Sequence, residues 1–80
     1  MSWYVYIIES SDHSLYTGIT TDLERRFQQH LTGKGAKYFF ARKPVKIVFS
    51  ESHINRSTAS VREYEIKQFS RKQKEQLIQS

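Results

Sequence analysis

Hydrophobic period divides the first thirty residues into two strands and a helix. Residues 3–9, Trp-Tyr-Val-Tyr-Ile-Ile-Glu, are aromatic and β-branched and predict a strand. Trp3, Val5 and Ile7 share one face; Tyr4, Tyr6 and Ile8 share the other. The polar run 10–14 predicts a turn, and Leu-Tyr-Thr-Gly-Ile-Thr-Thr (15–21) a second strand, so the two form a hairpin. A five-residue connection sets Ile8 opposite Tyr16 and Tyr6 opposite Gly18. Tyr6 and Tyr16 then become diagonal neighbours on one face, and Gly18 leaves that face open above Tyr6. Thr21-Asp22-Leu23-Glu24 has the capping-box pattern and starts a helix at about residue 22. Leu23, Phe27 and Leu31 recur at four-residue intervals as its buried row. Arg26 and His30 form the row beside it, at the border of the core.

The second half repeats the alternation of strand and helix. Residues 32–44 close the helix and cross back with one short helical turn. Pro44 opens a third strand over 45–52, with Val45, Ile47 and Phe49 expected inward. Ser57 is the expected N-cap of a helix over 58–69, whose core side carries Ala59, Ile66 and Phe69, with Glu63 on the same side. Ser70 to Gln73 has a second capping-box pattern and begins a last short helix carrying Leu77 and Ile78. The order β-β-α-β-α-α predicts an α+β fold: a small three-stranded antiparallel sheet flanked by helices, in a single domain, 1–80.

Composition narrows the function. Eighty residues suit one domain, and 38% hydrophobic with 26% charged residues marks a globular rather than a disordered chain. Thirteen Lys+Arg against eight Asp+Glu leave a formal charge of +5. That excess suggests a polyanionic partner, nucleic acid first; a solubility surface is the competing reading. The absence of cysteine excludes disulfides and thiolate zinc sites and fits a reducing cytoplasm. No apolar run approaches the ~20 residues of a membrane span. The N-terminal segment has no basic flank and contains an acid, so it is expected to be strand and not a signal peptide.

Three single residues and one basic cluster carry candidate chemistry. Glu63 is a carboxylate on an apolar helix stripe, costly unless it is paired or holds a metal. Arg26 is the candidate partner for that pair. His30 can serve as a cation at the helix C-terminus. Lys34, Lys37, Arg42 and Lys43 cluster in the crossover, as contacts to phosphates or as a solvated loop.

These residues resemble a known pattern. Tyr4-Val5-Tyr6 followed by Tyr16-Thr17-Gly18 is similar to the paired motif of the GIY-YIG nuclease superfamily, and the chain looks most like its short, stand-alone bacterial branch. The resemblance covers nearly the whole chain. Its specific part is the second motif with Arg26 ten residues beyond Tyr16, His30 four later, and Glu63 within Ala-Ser-Val-Arg-Glu-Tyr-Glu-Ile-Lys. It implies metal-dependent, endonuclease-type hydrolysis of nucleic-acid phosphodiesters, chiefly DNA, in repair or processing; a GIY-YIG module that binds nucleic acid with little or no turnover is the alternative. The implied catalytic residues are Tyr6, Tyr16, Arg26, His30 and Glu63. Glu63 would hold Mg²⁺ or Mn²⁺, and Arg26 would offset transition-state charge. The resemblance leaves Tyr6 and Tyr16 both open as the base, with His30 accepting a proton from either. Gly18, Lys34, Lys37, Arg42 and Lys43 are the expected nucleic-acid contacts. A cytoplasmic monomer is expected, with no membrane association and a recruiting protein partner to supply specificity. DNA and RNA both stay open. Two positions depart from the pattern: Tyr4 stands where the first motif has glycine, and no Asn follows Glu63.

Overall fold

The computed structural model describes residues 2–80. Its elements are β1 (Trp3–Ser10), β2 (Leu15–Thr20), α1 (Leu23–Leu31), a 3₁₀ turn (Lys37–Phe39), β3 (Pro44–His53), α2 (Arg56–Lys67) and α3 (Arg71–Gln79). The sheet order is β2-β1-β3, antiparallel throughout. The α+β order expected from the sequence is therefore the observed one. So is the hairpin register, with Tyr6 opposite Gly18 and Ile8 opposite Tyr16.

Because β1 is the central strand, both its faces are covered, and Val5, Tyr6, Ile7 and Ile8 are all buried. On one face Val5 and Ile7 pack with Ala59 and Ile66 of α2, Phe69, and Leu77 and Ile78 of α3. On the other face Tyr6 and Ile8 pack with Leu23 and Phe27 of α1, Tyr16, Ile47, and Tyr38 and Phe39 of the 3₁₀ turn.

Several details differ from the sequence expectation. The caps are Asp22, whose side chain accepts from Arg25 N–H, and Asn55, which accepts from Thr58 N–H, rather than Thr21 and Ser57. The Ser70–Gln73 capping box forms as expected. Leu31, at the end of the expected buried row, is exposed. In β3 the alternation fails at two register shifts. Ile7 pairs with Phe49 but Ile8 with Ile47, and Glu9 pairs with Lys46 but Ser10 with Pro44. Each shift leaves one extra residue on β3, Val48 and Val45, and an extra residue exchanges the faces on either side of it. Ile47 thus joins Tyr6 and Ile8, while Val48 and Phe49 join Val5 and Ile7. Val45, expected inward, is exposed.

Candidate active site

The site grows from one cross-sheet contact. Tyr6 projects from the middle of β1, where its partner across the ladder is Gly18. A Cβ at residue 18 would lie 2.5 Å from the Tyr6 hydroxyl. The space that the glycine provides is thus occupied by the Tyr6 ring, rather than left open to a ligand. The Tyr6 hydroxyl meets His30 Nε2 at 2.9 Å. His30 sits in the last turn of α1 and is 1% exposed, well inside the border position expected for it. It is roofed by the chain after the helix. A Cβ on Gly35 would lie 2.2 Å from His30 Nδ1, so the absence of a side chain at 35 lets that segment close over the imidazole. The two glycines each make room for one partner of the same hydrogen bond.

The roof also sets the proton positions. Ala36 N–H donates to His30 Nδ1 at 3.2 Å. A backbone N–H can only donate, so Nδ1 is bare. Burial, helped by Arg26, pulls the His30 pKa down to about 4, so the ring is neutral at neutral pH and its one proton lies on Nε2. With that tautomer, His30 donates to the Tyr6 oxygen in the resting structure. The Tyr6 proton is left to point elsewhere. Burial, and next the neighbouring Tyr16, push the Tyr6 pKa up to about 12; Arg26 opposes that shift and Glu63 adds to it. At neutral pH Tyr6 is a phenol and a donor.

Tyr16 lies beside this pair. Its ring centroid is 6.4 Å from Tyr6 and 5.4 Å from His30 in an edge-on arrangement. Arg26, half-buried on α1, donates to Gln29 Oε1 at 3.0 Å and sits close enough to Tyr6 to favour its phenolate. Glu63 belongs to α2, which packs on the other face of the sheet, yet its charge is felt at Tyr6. Among the described residues its ion-pair partner is Lys67, at 3.3 Å one helical turn away, and not Arg26. The buried Arg26–Glu63 pair is thus absent among those residues. Of the four basic crossover residues, Lys34, Lys37 and Lys43 are exposed. Arg42 is committed to Asp12 Oδ2 at 3.1 Å and lies 4.3 Å over the Tyr38 ring.

Sequence reasoning missed the roof. Gly35, the Ala36 N–H and the buried ring of Phe39, 4.7 Å from His30, complete the site. The available signal was Gly33-Lys34-Gly35-Ala36, two small residues beyond what a helix end requires.

A divalent ion, which the pattern implies, has limited protein support. No group of three or more His, Cys, Asp or Glu forms a cage among the described residues. The carboxylate whose charge reaches Tyr6 is Glu63, with its side chain 22% exposed. One accessible carboxylate suits Mg²⁺ or Mn²⁺, a hard ion that keeps its waters and takes other oxygens from a bound phosphate.

Comparison with known proteins bears on the family and the fold. Residues 2–76 match the GIY-YIG catalytic domain family. A UPF0213 protein of Haloquadratum walsbyi is 54% identical over 95% of this chain and 85% of its own length. The UPF0213 protein YhbQ of Escherichia coli is 49% identical over 95% of this chain and 76% of its own. The solution structure of the UPF0213 protein BH0048 from Bacillus halodurans superposes with a TM-score of 0.63 at 47% identity, covering 99% of this chain and 84% of that one. The E. faecalis protein EF2693 superposes with a TM-score of 0.67 at 38% identity over the same shares. With that match over residues 2–76, nearly its whole length, the chain belongs to the GIY-YIG catalytic domain family.

Proposed function

We propose that the protein hydrolyses phosphodiester bonds of nucleic acid, DNA first, as a divalent-metal-dependent endonuclease. The observation that carries this reading is the buried Tyr6–His30 hydrogen bond, whose tautomer is set by Ala36, beside Tyr16 and Arg26. An ordinary core has no use for two polar rings locked in one proton arrangement, since burying them without chemistry gains little over an apolar pair.

Each residue then has a role that follows from its environment. Tyr6, held neutral, donates a hydrogen bond to a phosphate oxygen or to the attacking water and so fixes its position. The base role falls to Tyr16, the less buried of the two tyrosines and free of the His30 bond. Ionised to its phenolate, Tyr16 takes a proton from the water, whose oxygen bonds to phosphorus as the bond to the 3′ oxygen breaks. The departing 3′ oxygen takes up a proton from solvent, and Arg26 offsets the charge that develops on the phosphate. Glu63 would hold the divalent ion once it is freed from Lys67. Such an ion, when bound, polarises the phosphate and stabilises the leaving oxygen. A role in repair or processing, and recruitment by a protein partner, accord with the small surface of an 80-residue chain.

A second reading is a nucleic-acid-binding module with little turnover. The high pKa of Tyr6 and the Lys67–Glu63 pair favour it. The experiment that separates them is incubation with supercoiled, branched and single-stranded DNA, and with RNA, with and without Mg²⁺ or Mn²⁺. The nuclease reading expects metal-dependent cleavage that falls ~10²-fold or more in Tyr16→Phe, the scale of acid–base catalysis. Binding without cleavage of any substrate selects the second reading.

A further inference from the structure

Beyond Phe39 the surface opens into a groove of about 770 Å³, whose lining includes Leu31, Phe39, Phe40, Arg42 and Lys43. Phe40 is 66% exposed. Its neighbour Phe39 is buried and forms the wall shared with the site, 4.7 Å from His30 and 5.1 Å from Tyr16. The aromatic series continues from Tyr16 to Tyr38 at 5.1 Å, and Arg42 is stacked over Tyr38 at 4.3 Å. No carboxylate lines the groove, and Asp12 is engaged with Arg42. The surface thus combines an exposed ring, a flat guanidinium and an unopposed ammonium, one ring's breadth from the candidate catalytic tyrosines.

That combination matches the chemistry of an unpaired nucleotide. A nucleobase offers a π-face to an aromatic ring, and its flanking phosphates match basic groups on the rim. In a duplex the π-faces are covered by neighbouring pairs and only base edges are presented, so Phe40 can reach a face only where the strand is unstacked. An apolar protein segment would fill the groove without any call for the basic rim. We propose that this groove receives an unstacked base next to the scissile phosphate, with Phe40 as the stacking ring and Lys43 on the flanking backbone, joined by Arg42 as a phosphate replaces Asp12 as its partner. The substrate class is then single-stranded or locally unpaired nucleic acid. This rests on the nucleic-acid reading above.

The test measures binding without divalent metal, by fluorescence anisotropy, with three labelled probes of equal length. They are an oligothymidylate, an abasic strand with the same phosphates, and a blunt duplex. Phe40→Ala should weaken oligothymidylate binding about tenfold, the scale of one stacking contact, and leave the abasic strand and the duplex nearly unchanged. Phe40→Tyr, which keeps the ring, should bind like the wild type. An equal loss on all three probes, or none on any, overturns the proposal while the nucleic-acid reading stands. Failure of the wild type to bind any probe removes both. Sedimentation in parallel covers a further outcome: if Phe40→Ala dissociates a dimer and leaves oligothymidylate binding unchanged, the groove is an interface between copies and the proposal falls.

Discussion

The face of β1 that carries Val5 and Ile7 and the face that carries Tyr6 and Ile8 are covered in different ways. The first is sealed by α2 and α3 over a largely apolar cluster, with the buried Thr17, opposite Ile7, as its polar exception. The second is covered by the nine-residue α1 and one 3₁₀ turn, and its centre is a tyrosine hydrogen-bonded to a histidine. Both faces exclude water from their centre. The difference teaches that burial alone does not mark the core of a small domain. On one side burial supplies stability; on the other it sets the protonation of two titratable rings, pushing Tyr6 up to about 12 and His30 down to about 4.

The largest expected effect lies on the apolar face. Ile66 has no exposed surface. Ile66→Ala should lower unfolding free energy by roughly 2–5 kcal/mol, read from the urea midpoint, out of a total of about 5–15 kcal/mol for domains in general. A loss below about 1 kcal/mol would mean that this face collapses around the deletion and is not packed as described.

The next effect belongs to the other face and depends on pH. The folded pKa of His30, about 4, lies below the ordinary 6.5. Between those values the unfolded chain binds the extra proton, so stability present above pH 6.5 is lost as pH falls toward 4. At 1.36 kcal/mol per unit the loss is about 3 kcal/mol. The difference between wild type and His30→Gln in unfolding free energy across this window isolates the contribution. If the two proteins track in parallel from pH 7 to pH 4, His30 is not held neutral by burial.

The hairpin register was legible because strand period and loop length together leave little choice once Tyr6 is set against Gly18. The α+β order was legible from the switch of period and the polar breaks. The bulges at Val48 and Val45 were not, because both are β-branched residues that suit either face of a strand and nothing local marks an extra one. Thr21 and Asp22, like Asn55 and Ser57, are competent caps close in sequence, and only the path of the chain selects between them. Tyr6, Tyr16 and His30 could be grouped from the motif. The direction of the Tyr6–His30 hydrogen bond could not, because it depends on Ala36, which folds back over the helix only in three dimensions.

The smallest expected effect on stability is at Glu63. Its partner Lys67 is half-exposed and one turn away on the same helix, a geometry worth roughly 0.3–0.5 kcal/mol. Glu63→Gln should therefore shift thermal unfolding without metal only slightly, while abolishing metal-dependent cleavage. A loss of about 3–5 kcal/mol, the usual result of breaking a buried pair, would mean that Glu63 is held inside the fold by a cation, and its place beside the site would lose its meaning.

The central claim is that His30 is a neutral donor whose proton is placed on Nε2 by the Ala36 N–H. The direct measurement is a long-range ¹H–¹⁵N correlation spectrum of the ¹⁵N-labelled protein at neutral pH, which separates protonated from bare imidazole nitrogens. The account predicts a His30 ring with Nε2 protonated and Nδ1 bare. A ring protonated on Nδ1, or on both nitrogens, would contradict it.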